Sequence, residues 1–146
     1  MAECKRITVE PLTREAFAPF GKLIEFSEHP EDERFEVLIR EEIHPWRIAM
    51  FRVRIRQAQR LECHPQSMES FEPVRGMGVL LCAAPDCPEE VHAFPLDAPV
   101  CLNKGVWHEV IALSGEALYK ITENCEVSSE FYPFSQPVGA PANFVC

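Results

Sequence analysis

Apolar and charged positions alternate most clearly from residue 46 onward. Phe51, Val53 and Ile55 interleave with Arg52, Arg54 and Arg56, a period of two that predicts a strand with one wet face. Leu61–His64 reads as the next extended piece. Val79–Ala84 is a continuous apolar run, the mark of a strand buried on both faces or lining a barrel. Further strands are predicted at Val91–Phe94, Val100–Leu102, Val106–Leu113 and Ala117–Thr122. Turn residues separate them at Pro85-Asp86, Asp97, Asn103 and Ser114-Gly115. Short strands at this spacing imply an antiparallel sandwich or barrel.

The ends of the chain are less regular. Ile7–Val9 predicts a short first strand, stopped by Pro11, and Thr13 suits the N-cap of a short helix over Arg14–Phe17. Leu23–Phe26 reads as another strand and the acidic stretch Ser27–Arg34 as a loop. Phe131–Cys146 carries three prolines and no clear period, so it reads as a surface wrap or a contact with a neighbouring subunit. No repeat or linker divides the chain, and residues 1–146 read as one domain.

Composition narrows the function classes. Thirteen prolines against six glycines, scattered along the chain, favour short strands with many corners over long helices. A net charge of −9 gives no general electrostatic reason to bind nucleic acid or an anionic membrane surface. Met1–Thr8 has no apolar core of a secretory signal, and no stretch approaches the length of a membrane span. Seven cysteines at 4, 63, 82, 87, 101, 125 and 146 form no Cys-x-x-Cys pair. An odd count of this kind points to free thiols in a reducing compartment, and hence to the cytoplasm.

Two segments carry candidate chemistry. In Leu61-Glu62-Cys63-His64-Pro65-Gln66-Ser67-Met68-Glu69, residues two apart on a strand share a face, so Glu62 and His64 point the same way. Glu69 follows a turn-like insert and can fold back toward them. In Asn103-Lys104-Gly105-Val106-Trp107-His108, Gly105 permits a tight turn, and His108 enters the next strand on the face of Val106 and Val110. Two carboxylates and two imidazoles converging in this way suit a divalent zinc, manganese, iron or nickel ion. The same groups also suit acid–base work without a metal, and spacing alone does not choose. No organic cofactor is expected. Arg34, Arg47 and Arg75 are candidates to grip a substrate carboxylate, Lys104 is a candidate contact from the turn, and Trp107 a candidate pocket wall.

Glu62, His64, Glu69 and Gly76 resemble the first cupin motif, with Glu62 where many cupins have histidine. Gly105 and His108 resemble the second, with Asn103 in place of its usual proline. The resemblance implies an all-β, cupin-type antiparallel β-barrel (a jelly-roll-like double-stranded β-helix) with one short N-terminal helix. A finer resemblance is to the ureidoglycolate lyase family. It rests on Val9-Glu10-Pro11-Leu12-Thr13-Arg14-Glu15-Ala16-Phe17-Ala18-Pro19-Phe20-Gly21, on Leu61-Glu62-Cys63-His64-Pro65, on Ser70-Phe71-Glu72-Pro73, on His92-Ala93-Phe94 and on Gly105-Val106-Trp107-His108. Four departures stand beside these. Glu31–Phe35 lacks the family's Asn-Gly stretch, Cys63 stands for arginine, Glu69 for glutamine, and Glu109 for a second histidine.

The resemblance implies cleavage of ureidoglycolate to glyoxylate and urea, late in allantoin breakdown, with His64 or Glu69 as base and His108 as acid or orienting group. It also implies a divalent metal held by Glu62, His64, Glu69 and His108, and a homodimer paired through its sheets. The alternatives are a cupin acting on another small hydroxy or keto acid, and a cupin that binds a small molecule without turnover.

Overall fold

The computed structural model describes residues 3–141. Its elements are β1 (Lys5–Arg6), α1 (Arg14–Phe17), β2 (Gly21–Leu23), β3 (Trp46–Val53), β4 (Gln57–Cys63), β5 (Glu69–Arg75), β6 (Gly78–Ala83), β7 (His92–Pro95), β8 (Val100–Leu102), β9 (Trp107–Ala112), β10 (Ala117–Asn124) and β11 (Glu130–Gly139). They form a six-stranded sheet, β1-β11-β4-β9-β6-β7, and a five-stranded sheet, β2-β8-β5-β10-β3. Only β1 with β11 pairs in parallel; the other named strand pairs run antiparallel. The strand spacing implied an antiparallel sandwich or barrel, and the two sheets form the all-β barrel with one short N-terminal helix that the cupin resemblance implied. No helix among the described residues is long and apolar enough to cross a membrane.

Strand β6 explains the unbroken apolar run. Leu80 and Cys82 face the space between the sheets, while Val79, Leu81 and Ala83 join a second apolar layer on the outer side of the six-stranded sheet. Each fully buried aliphatic side chain of this kind contributes about 1.5–3 kcal/mol. The inner layer gathers Phe17, Phe20, Phe71, Phe94 and Tyr119. Helix α1 supplies Phe17, whose ring meets Phe94 edge-on at 5.4 Å. Its predicted cap is in place, since Thr13 Oγ1 accepts from the Ala16 amide at 3.1 Å.

Several elements differ from expectation. The first strand lies at Lys5–Arg6, and Val9 instead makes an isolated bridge to Ala93. Strand β2 begins at Gly21 and ends at Leu23, earlier than the run Leu23–Phe26 suggested. Strand β3 stops at Val53; Ile55 lies in the turn beyond it, where its carbonyl accepts from the Ala112 amide. Strands β5 and β11 were not foreseen, because both contain proline. In β11 the register slips between Pro133 and Val138, which lets Pro133 sit in a ladder that needs a donor elsewhere. The stretch from Phe131 is therefore sheet as far as Gly139, and Cys146 lies outside the described residues. Gly76, the glycine of the first motif, turns the chain from β5 to β6 at φ 79°. A Cβ there would collide with the Glu116 carbonyl oxygen.

Candidate active site

The chemistry-bearing side chains meet between the sheets because of strand register. On the six-stranded sheet Glu62 of β4 pairs directly with His108 of β9, and His64 follows just past the end of β4. On the five-stranded sheet Glu69 is the first residue of β5 and faces them across the interior. A backbone hydrogen bond of 3.0 Å from the Gly105 amide to the His64 carbonyl ties the two motifs together. Gly105 has φ 80°, so the tight turn that delivers His108 is the one its sequence anticipated.

Both imidazoles are buried, with 6% of His64 and 5% of His108 exposed, and Glu69 is buried to a similar degree at 9%. Glu69 Oε2 lies 2.9 Å from His108 Nε2 and 3.3 Å from His64 Nε2. Glu62 Oε1 lies 3.6 Å from His64 Nε2. Each ring is oriented from behind: His64 Nδ1 is 3.1 Å from the Ser128 carbonyl oxygen, and His108 Nδ1 is 3.0 Å from that of Val106. With both Nδ1–H groups donating backward, both Nε2 atoms are aimed at Glu69.

Such an arrangement needs positive charge between its members, supplied by protons or by a metal ion. With protons, burial pulls the His64 imidazole down, but the Glu69 carboxylate and the Ser128 carbonyl more than offset it and raise it to about 9. His108 is also raised: its burial works downward, and Glu69 again prevails. Burial works to raise Glu69, but the two imidazoles beside it hold it down to about 2.

A metal ion fits the same groups. Glu69 Oε2 is buried without a well-directed hydrogen bond despite its two close nitrogens. Donor atoms of Glu62, His64 and His108 lie within 4.8 Å of one another, as do those of His64, Glu69 and Glu123. Imidazole nitrogen with carboxylate oxygen is a donor set for zinc and for the other first-row divalent ions.

These groups line a cavity of about 310 Å³, together with Arg47, Phe51, Phe71, Glu109, Glu123, Val127 and Ser129. Arg47 is brought there by the inner face of β3. The other expected substrate contacts lie elsewhere. Arg34 has 92% of its side chain exposed and stands 4.0 Å from Asp32. Arg75 joins Arg52 and Arg54 around Glu116. Lys104 pairs with Glu41 at 2.9 Å. Trp107, adjacent in sequence to His108, points to the opposite face of β9, packs on Tyr132 and donates to the Pro85 carbonyl oxygen.

Glu109 and Glu123 were not foreseen as cavity residues. Burial pushes the Glu109 carboxyl up, against the Val110 amide that it accepts from. Glu123 was missed because β10 was read as ending at Thr122. Its place in the every-second-residue series Tyr119, Ile121, Glu123 was the available signal.

A family model described as ureidoglycolate lyase matches residues 4–132. A ureidoglycolate lyase of Pseudomonas savastanoi pv. phaseolicola is 30% identical over 136 residues, 73% of this chain and 75% of that protein. One from Rhodobacter capsulatus is 30% identical over 155 residues, covering 92% and 96%. Ureidoglycolate lyase 1 of Rhizobium meliloti is 33% identical, covering 75% and 76%. Among solved structures, an oxalate decarboxylase of Bacillus subtilis superposes with a TM-score of 0.47 at 16% identity, over 62% of this chain and 24% of that one. A dTDP sugar isomerase of Desulfovibrio desulfuricans gives 0.41 at 15% identity, over 99% and 85%.

Proposed function

The chain belongs to the ureidoglycolate lyase family, and from that premise we propose that the cavity between its sheets cleaves ureidoglycolate to glyoxylate and urea. The fold is of the cupin type, and its polar interior is the place for the reaction. The observation that carries the proposal is Glu69 held between two backward-anchored imidazoles inside that cavity.

Cleavage removes a proton from the C2 hydroxyl. The oxygen lone pair then closes to the carbonyl of glyoxylate, the C–N bond breaks, and the departing urea nitrogen takes up a proton. The triad of Glu69, His64 and His108 can supply both transfers. The two imidazolium charges repel, so the first proton to leave comes from the pair rather than from one isolated ring. With His64 raised to about 9, the state with one neutral imidazole and one imidazolium is reached on the alkaline side of neutrality. We assign His64, steadied by Glu69, as the base and His108 as the acid. Arg47 is the cavity's own guanidinium and holds the substrate carboxylate. If a divalent ion were held by Glu62, His64, Glu69 and His108 instead, both Nε2 atoms would be its ligands. Its Lewis acidity toward the hydroxyl would then stand in place of the His64 base, and the rings would orient rather than transfer protons.

The test is glyoxylate release from racemic ureidoglycolate, with and without added divalent metal, in the wild type and in His64→Ala and His108→Ala. Release that stops in both variants supports the assignment. Absence of release under every metal moves the site to another small hydroxy or keto acid, or to binding without turnover.

Two further expectations remain proposals. The homodimer would form on the outer face of the five-stranded sheet, where Trp46, Ile48 and Met50 stand exposed in a row on β3, Trp46 by 65%. Sedimentation equilibrium checks it, and Ile48→Glu with Met50→Glu should then give monomers. A cytoplasmic setting suits the free thiols of Cys4, Cys63, Cys82, Cys87, Cys101 and Cys125.

A further inference from the structure

Across the five-stranded sheet, one row of inward side chains runs Arg47, Glu123, Glu69. Glu123 of β10 is the direct neighbour of Arg47 on β3 and of Glu69 on β5. Two carboxylates directly opposite on adjacent strands repel. The row is stable because each has its own cation: Glu69 has the imidazoles, and Glu123 has Arg47, Oε1 to Nη2 at 2.9 Å. Only 9% of the Glu123 side chain is exposed, against 49% of Arg47. The half-exposed guanidinium lines the cavity, and its inward side is paired with a carboxylate of the protein itself.

We propose that Glu123 is an internal competitor for the substrate carboxylate: it masks Arg47 until a carboxylate ligand displaces it, and it returns to Arg47 to help the product carboxylate leave. The inference rests on the reading that the ligand of this cavity is a small carboxylate, and it deepens that reading. A carboxylate ligand offers Arg47 the same fork-on-carboxylate geometry that Glu123 now occupies. A Glu123 carboxylate oxygen also lies within 4.8 Å of the ligand-capable atoms of His64 and Glu69. A Glu123 released from Arg47 therefore faces the Glu69 carboxylate without a cation of its own, and that repulsion sets the cost an incoming carboxylate must meet. A neutral ligand has no means of making this exchange. Glu123 thereby selects for anionic ligands strong enough to displace it, and it limits how tightly product is held.

The test is calorimetric binding of glycolate and of its neutral counterpart glycolamide to the full chain. Glu123→Gln, nearly isosteric, should tighten glycolate about fivefold, the scale of a partly exposed ion pair, and leave glycolamide unchanged. Arg47→Gln should reduce glycolate binding to the glycolamide level. The double variant should match Arg47→Gln, because there is no longer a guanidinium to unmask. Unchanged or weaker glycolate binding in Glu123→Gln overturns the proposal. So does a double variant that still binds glycolate more tightly than Arg47→Gln, since that shows a general loss of negative charge. Glu123→Ala repeats the comparison by a second route. The readout is binding alone, so a failure of ureidoglycolate turnover leaves this result interpretable on its own.

Discussion

The two ends of the barrel interior are built from the same strands, yet one end is oil and the other is a charge network. Along the inner face of β3 the residues run Arg47, Ala49, Phe51, Val53; along β10 they run Glu123, Ile121, Tyr119, Ala117. Strand β5 passes from Glu69 to Phe71, and β9 from His108 through Val110 to Ala112. Antiparallel register places every polar terminus at the same end. The apolar end gains its stability from area removed from water. The polar end buries ionisable groups at a desolvation cost, offset only by their mutual pairing. A region that holds charge against that cost while its neighbour packs Leu80, Phe94 and Tyr119 is where chemistry belongs.

Substitutions at the two ends should therefore fail in different ways. His108→Ala should lower turnover by about 10²–10⁴-fold, the usual contribution of a positioned acid or base, with the chain still folded; steady-state glyoxylate release alongside circular dichroism checks both halves. Leu80→Ala, at the apolar end, should cost about 2–5 kcal/mol of stability in urea unfolding. Turnover per folded molecule should change far less. If the two variants lost activity and stability in equal measure, the division between the ends would collapse.

The polar end should also be the pH-sensitive one. In metal-free protein His64 is raised from 6.5 to about 9, so its contribution to stability is complete below 6.5 and is lost as pH rises through 9. Glu69 is lowered from 4.5 to about 2, so its contribution is present above 4.5 and is lost as pH falls through 2. Melting temperature should hold between these limits and decline on the alkaline side. Glu69→Gln should flatten that decline, and a variant curve as steep as the wild type would detach the effect from this network. The smallest effect belongs to the flank of the apolar layer. Thr13→Ala, which removes the cap of α1, should cost about 1 kcal/mol and leave the pH profile unmoved.

How much of this was legible depends on what each signal measures. Alternation located β3, and the parity of Arg47 with Phe51 and Val53 was a signal left unused, while motif spacing brought Glu62, His64, Glu69 and His108 to one point. The same alternation places Trp107 on the face opposite His108, and its packing on Tyr132 follows from that parity. Arg75 and Lys104 sit near the motifs in sequence, but nearness in sequence does not fix direction. Arg75 closes β5 at the far end from Glu69, and Lys104 leaves its turn toward Glu41. Strands β5 and β11 escaped notice because proline removes a ladder donor, and only the pairing of neighbouring strands shows where that loss is tolerated. Glu123 lay one residue beyond the expected end of its strand at Thr122. A single register step there separates an exposed carboxylate from one facing Arg47.

A second, larger concavity tests where ligand goes. The outer groove of about 620 Å³ beside Phe35, Trp46 and Ile48 is more apolar than the inter-sheet cavity of about 310 Å³. Titrating glycolate into nitrogen-labelled protein and following amide and imidazole resonances by NMR separates the two sites directly. The account predicts shifts centred on His64, Glu69, His108 and Glu123, with the outer groove silent. Shifts confined to Phe35, Trp46 and Ile48, with the imidazoles unmoved, would contradict it.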